Sequence, residues 1–243
     1  MNLAIDIGNT RTKIALFDKN EIMHFEIWDA FSIEKVKALQ YNHSFKKIIL
    51  STVGEIKKSE YRFLQKAGFY IQLDEHTPIP IDNQYKTPAT LGRDRLAAVV
   101  GAFAQYPNDN IIVIDAGTCI TTEIILKGGI YLGGNISPGI RMRMKAMHEF
   151  TAKLPLLRTK KPRSFVGYST KTAMQNGGTM GAVWELEHFI SKCEKKYGAL
   201  KVILTGGDTI FFEKHLKKEI FAHSNLVLVG LNQILDYNAK IKQ

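Results

Sequence analysis

Cysteine is nearly absent: Cys119 and Cys193 are the only two among 243 residues. That scarcity excludes a disulfide framework and a multi-cysteine zinc site. Long apolar runs are missing too, since no stretch approaches the ~18 uninterrupted apolar residues of a membrane span. The opening MNLAIDIGNT lacks the basic flank and long apolar core of a secretory signal. A reducing cytoplasm and no membrane partner are the expectation. The seven histidines show no paired metal-ligand spacing. Aromatic residues near the basic stretches RMRMK and KKPR are too scattered for a single-strand stacking platform. Those stretches read as solvated faces, and no nucleic-acid partner is expected.

Acidic residues are in deficit. Thirty-three Lys and Arg against 23 Asp and Glu leave a formal charge of +10. Such an excess raises affinity for anions, nucleotides included, without choosing among them. The apolar content of 45% and charged content of 23% are those of an ordinary globular chain.

Residues 3–7 and 12–17 read as strands around a Gly8-Asn9 turn, with a third strand over EIMHFEIW. SIEKVKALQ reads as a helix capped by Ser32, followed by the strand KKIILSTV. The segment 55–69 reads as helical and FYIQLD as a brief strand. EHTPIPIDNQYKTPAT holds three of the seven prolines, a density that prevents regular structure. LGRDRLAAVVGAFAQY is a helix with Asp94 in its early turn. Strands resume from residue 108, with Gly128-Gly129 as a hairpin turn. IRMRMKAMHEF is helical, LRTKKPRSFVGYS a loop, and a long helix runs to about Tyr197. Its apolar face is Ala182, Leu186, Phe189, Ile190, Cys193 and Tyr197. KVILTGGD is a buried strand with a glycine turn. The order predicts two α/β domains, 1–108 and 109–243.

The two halves repeat. At an offset of 109 residues Ile5 falls on Ile114, Asp6 on Asp115 and Gly8 on Gly117, which suggests similar domains facing each other across a cleft. A tight turn with little side-chain bulk exposes backbone N–H groups that can cradle phosphate. A carboxylate beside it, Asp6, can hold Mg²⁺ directly or through water, and Lys13 can neutralise phosphate charge. Such parts serve phosphoryl transfer by position and charge. Read singly, each residue has a plainer use. Asp6 could cap a hairpin, Asp94 could pair with Arg93 or Arg95, and Asp115 could make a second magnesium-water contact. The glycines 177, 178 and 181 are costly in a helix and predict close backbone approach, to substrate or to a second subunit.

The duplicated turn resembles the nucleotide-binding folds of the superfamily containing acetate kinase, sugar kinases, actin and heat-shock chaperones. LTGGD (204–208) resembles its adenosine motif. DIGNTRTK, YKTPATLGRDR, DAGT, GGNISPG and GYSTKTAMQNGG run in the order of one family, type III pantothenate kinase, over nearly the whole chain. The resemblance implies an α/β fold of two ribonuclease H-like (actin-like) domains, with mixed sheets flanked by helices and ATP in the interdomain cleft. It implies a homodimer that phosphorylates pantothenate to 4′-phosphopantothenate, the first step of coenzyme A biosynthesis. ATP is then bound by Asp6, Ile7, Gly8, Asn9, Thr10, Arg11, Thr12, Lys13, Thr118, Gly206 and Gly207. Tyr85, Gly92, Arg93, Asp94, Arg95 and Thr170 form the substrate site, with Asp94 taking the hydroxyl proton. Asp115 is implied to hold a monovalent cation, K⁺ or NH₄⁺. A same-fold kinase for another small alcohol, such as a sugar, and a non-catalytic transcription-accessory relative are the alternatives.

Overall fold

Two buried strands, each paired on both sides, set the architecture of this computed structural model. It describes residues 1–160 and 164–242, so most of KKPR and the middle of the expected loop LRTKKPRSFVGYS lie outside the described residues. The chain divides into two compact units. One comprises Met1–Asn108, Lys127–Leu132 and the segment from Asn225; the other comprises Asp109–Leu126 and Gly133–Ser224. The units are thus not consecutive halves, because the C-terminal helix packs in the first.

In the first unit, β1 (Asn2–Ile7), β2 (Thr12–Asp18), β3 (Glu21–Trp28), β4 (Lys47–Thr52) and β5 (Phe69–Gln72) form a sheet in the order β3-β2-β1-β4-β5. β1 pairs antiparallel with β2 and parallel with β4. Both faces are apolar because both are covered. Helices α1 (Ile33–Asn42) and α2 (Lys58–Ala67) supply Val36, Leu39 and Leu64 to a cluster with Leu3, Ile5, Ile14, Leu16, Ile48 and Leu50. Ser32 caps α1, its Oγ accepting from the backbone N–H of Lys35 at 3.4 Å. The alternate residues Ala4, Ala15, Phe17 and Ile49 are also fully buried. Their side of the sheet receives α7 (Leu226–Ile241), which packs on β1, β2 and β4 and along α3 (Arg93–Gln105). A Cβ on Gly230 would lie 1.7 Å from the carbonyl oxygen of Ala97, and one on Gly101 2.5 Å from that of Leu226. These glycines let two helix backbones touch, which is why the chain's end belongs with its beginning.

The proline-rich segment is irregular, as its composition predicts, yet it is tied down along its length. Asp82–Asn83 form the two-residue strand β6, paired with Ile130 and Tyr131, and Pro88–Thr90 form one 3₁₀ turn. Asn238 of α7 donates to the carbonyl of Pro78 at 2.7 Å. The segment is a strap over the first unit rather than a free linker.

In the second unit, β7 (Asn110–Ala116), β8 (Cys119–Leu126), β9 (Ile130–Pro138), β10 (Leu200–Thr205) and β11 (Ile220–Ala222) lie in the order β11-β10-β7-β8-β9. β7 pairs antiparallel with β8 and parallel with β10, as β1 does with β2 and β4. Gly128 and Gly129, at φ +82° and +85°, make the expected β8–β9 hairpin turn. Helices α4 (Ile140–Glu149), α5 (Thr170–Tyr197) and α6 (Thr209–Glu213) complete the unit. Of the predicted α5 face, Ala182, Leu186, Ile190 and Cys193 are buried with Val183, while Phe189 and Tyr197 are half-buried. A Cβ on Gly178 would meet Met144 Cε at 2.6 Å, so α4 within the same chain accounts for that glycine. Gly177 and Gly181 face open space.

Candidate active site

Each central strand carries an aspartate one residue before its end, among the last pairs of its ladder. Asp6 lies opposite Lys13 on β2 and Ser51 on β4; Asp115 lies opposite Thr121 on β8 and Thr205 on β10. The halves do not keep one offset. Four residues, Gly8 to Arg11, separate the last pair of the first hairpin, and three separate that of the second. Beyond the turns the repeat therefore shifts from 109 to 108. The extra residue widens the first turn.

That turn closes on itself, with the N–H of Gly8 donating to the carbonyl of Arg11 at 3.0 Å. Asn9, Thr10 and Arg11 are exposed, Ile7 and Gly8 are half-buried, and Thr12 is buried. Directly opposed residues of an antiparallel pair put their Cβ atoms about 5 Å apart on one face. Lys13 thus stands beside Asp6 at the mouth of the turn, a cation next to a carboxylate and a run of exposed polar backbone. This is the chemistry an anion with a bound metal requires.

The second turn is closed by Gly117 N–H donating to Cys119 O at 2.9 Å, and Thr118 at its tip is exposed. The LTGGD turn abuts it. The N–H of Asp208 donates to Ala116 O at 2.9 Å, and Gly206 adopts φ +98°. A Cβ there would lie 2.5 Å from both Ala116 O and Asp115 Oδ1, so only glycine admits this approach. Gly207 is exposed. The half-buried Asp115 carboxylate is thus cradled by backbone of two glycine turns. A carboxylate suits a cation that accepts oxygen ligands. Among the described residues, no three His, Cys, Asp or Glu side chains gather as a metal cluster.

The substrate motif folds around the start of α3. Gly92 is its N-cap, and Asp94 sits in its first turn, half-buried, accepting from the backbone N–H of Arg95 at 2.8 Å. Negative charge is favoured there by the helix dipole. The plainer reading that Arg93 pairs with Asp94 does not hold, because Arg93 bonds Glu75 at 2.7 Å instead. Arg95 is buried, its guanidinium carbon 5.5 Å from the Tyr85 ring centroid. Tyr85 in turn stacks on the buried Tyr131, 6.3 Å between centroids and 8° between planes. Thr170, exposed, is the first residue of α5, whose N-cap Ser169 and Thr172 exchange capping hydrogen bonds.

Sequence reasoning missed Glu75, Tyr131 and Asp208 as contributors. Glu75 and Tyr131 lie outside the quoted motifs, and no local pattern marks them. Asp208 was inside LTGGD, and the signal was its place beyond two glycines. Burial raises its carboxyl above the ordinary Asp value, with Arg141 acting against the shift. A carboxyl that binds its proton more tightly when folded stabilises the fold at acid pH, and that contribution is lost as pH rises through the raised value. Asp208→Asn should therefore be more stable than the parent at pH 7.5. The gap should close as pH falls towards 3.8, the ordinary value. Urea unfolding midpoints at several pH values check this; an Asn variant less stable at pH 7.5 refutes it.

Comparison with known proteins adds an independent line. Residues 2–192 match the family model of type III pantothenate kinase. A type III pantothenate kinase of Bacteroides fragilis is 45% identical over 239 residues, 98% of each chain. A crystal structure of a conserved putative Baf family transcriptional activator from Campylobacter jejuni superposes with a TM-score of 0.64 at 25% identity, over 98% of this chain and 99% of that one. A putative N-acetylmannosamine kinase from Listeria monocytogenes gives a TM-score of 0.60 at 12% identity, over 98% of this chain and 99% of that one. The last likeness is one of fold alone.

Proposed function

The chain belongs to the type III pantothenate kinase family, and from that premise we propose how its residues divide the work. The enzyme phosphorylates pantothenate with ATP, in coenzyme A biosynthesis. The sugar-kinase alternative has only the fold in its favour, since the neighbour of that kind is 12% identical.

The residue roles rest on one observation, the pair of central strands that each carry an aspartate one residue before the end and run into a glycine turn. Residues Asp6 to Lys13 receive the phosphates of ATP, with Thr10 and Lys13 as side-chain donors. Thr118, Gly206 and Gly207 are assigned to the nucleotide as well. Asp6 holds Mg²⁺, directly or through water; a single carboxylate fits an ion that keeps most of its waters. When bound, that ion offsets charge on the phosphates. Asp115, cradled by Gly117 and Gly206, takes the monovalent cation, K⁺ or NH₄⁺. Tyr85, Gly92 and Arg95 bind the acceptor, with the guanidinium of Arg95 directed to its carboxylate, and Thr170 is assigned to the same ligand.

Asp94 orients the acceptor hydroxyl. A carboxylate is too weak a base to ionise an alkanol beforehand, so Asp94 takes the proton late, as the new phosphorus–oxygen bond develops. Arg95 N–H already holds one carboxylate oxygen at 2.8 Å, which fixes the group for that task. Asp94→Asn should lower kcat by roughly 10²- to 10⁴-fold while ATP affinity stays unchanged. A coupled assay of ADP release with pantothenate, ribose and glycerol measures it and discriminates among acceptors. Near-normal turnover in the variant removes Asp94 from this role; preference for ribose or glycerol overturns the acceptor.

We also propose a homodimer formed by α4 and α5, working in the cytoplasm. No helix among the described residues is long and apolar enough to cross a membrane. Met142 and Trp184 on these helices, Phe150 just after α4, and Phe165 and Tyr168 just before α5 are exposed. Such an apolar surface favours a partner. A Cβ placed on Gly181 would meet nothing within 4 Å. Gly181→Glu should then improve the isolated helix by roughly 0.5–1 kcal/mol yet split the dimer and abolish activity. Sedimentation with kinetics checks it; a fully active monomer refutes the assembly.

A further inference from the structure

Arg93 immediately precedes Asp94 and Arg95 in the acceptor motif, yet its guanidinium is engaged elsewhere. Its Nη1 donates to the carbonyl oxygens of Pro88 and Leu91, each at 3.0 Å. Its Nη2 donates to Glu75 Oε2 at 2.7 Å and to Ala89 O at 3.3 Å. One guanidinium therefore joins the start of the proline-rich strap to its end. The Arg93 side chain is 16% exposed and that of Glu75 33%; the bond lies at the surface, is charge-assisted, and is one of four the guanidinium makes.

The strap between those ends carries Tyr85. Asn83 Oδ1 accepts from the Tyr85 N–H at 3.1 Å, and the ring is stacked on Tyr131 and flanked by Arg95. At the strap's end, the 3₁₀ turn hands the chain to Gly92 and thence to Asp94. Thr90 N–H donates to Thr87 O at 3.1 Å and Leu91 N–H to Pro88 O at 3.3 Å. Short 3₁₀ pieces of this kind are weak alone. Three carbonyls of the turn and its exit, those of Pro88, Ala89 and Leu91, converge on Arg93.

We propose that Arg93 is a positioning residue: with Glu75 it closes the 75–91 strap and so fixes Tyr85 and Asp94, and it does not receive the acceptor's carboxylate. This rests on the acceptor site proposed above. Its donors are already committed to four oxygens within the chain, and releasing them to a ligand would unlatch the segment that shapes the site. A lysine, with one point charge and no planar fork, cannot reach the same set of acceptors.

The test compares wild type, Arg93→Ala, Arg93→Lys and Glu75→Gln on two acceptors, pantothenate and a carboxylate-free amide of it. Positioning predicts that Arg93→Ala lowers kcat on both acceptors by the same factor, on the order of 10²-fold for a displacement near 1 Å. Arg93→Lys and Glu75→Gln should fall between it and wild type, and the KM for ATP should not move. A loss that appears in KM for pantothenate and vanishes with the amide makes Arg93 a carboxylate receiver and overturns the proposal. Unchanged kinetics on both acceptors overturn it too. Amide hydrogen exchange gives a reading independent of turnover, and serves Glu75→Gln should Arg93→Ala not fold. Exchange at Thr90 and Leu91 should quicken in the variants; unaltered protection there contradicts the clasp. Should wild type phosphorylate neither acceptor, the acceptor assignment fails while the exchange measurement still decides on the clasp.

Discussion

A strand hydrogen-bonded on both edges and covered on both faces has no freedom except at its ends. β1 and β7 are such strands: Leu3, Ala4, Ile5 and, in the second unit, Ile111 to Ile114 are sealed from solvent. Their backbone groups are engaged by neighbours, so polar chemistry can appear only where the ladder stops. In both units an aspartate stands one residue before that stop and a glycine turn follows it. The core thus determines where the carboxylates stand, and the turn determines what backbone accompanies them. The rest of the molecule secures these two ends, through α7 and α3 behind β1 and through β10 with its Gly206 turn beside β7.

The two turns are related but not equivalent. Four residues in the first against three in the second leave a wider, more exposed loop beside Asp6, with Lys13 across the ladder. The second is tight, and the backbone of Gly206 presses on the Asp115 carboxylate. One duplicated motif thus forms an open turn in the first unit and a closed one in the second. The burial of Asp208 beside the second turn is a cost in stability at neutral pH, of the kind that recurs near functional groups.

Much of this was legible in the sequence for physical reasons. Strand alternation, the Ser32 cap and the Gly128-Gly129 turn are local, and each fixed an element within a residue or two. The helix read at 55–69 is shorter, Lys58–Ala67, since Gly68 caps its end and Glu60 accepts from the N–H of Lys57 at its start. The aspartate turns were legible since the repeat printed them twice. What stayed hidden depends on distance in the chain. The return of α7 to the first unit is decided by Gly101 meeting Gly230, two glycines that look ordinary where they stand. The Arg93–Glu75 pair spans 18 positions, and adjacency to Asp94 suggested the wrong partner. Proline density correctly announced irregular backbone, but irregular did not mean loose.

The most direct measurement is a crystal structure with pantothenate and a non-hydrolysable ATP analogue bound. The account predicts phosphate oxygens within hydrogen-bond reach of the Gly8–Arg11 turn, and the pantothenate primary hydroxyl roughly 3 Å from the Asp94 carboxylate. Phosphates seated away from that turn, or an Asp94 carboxylate that does not meet the hydroxyl, would contradict it.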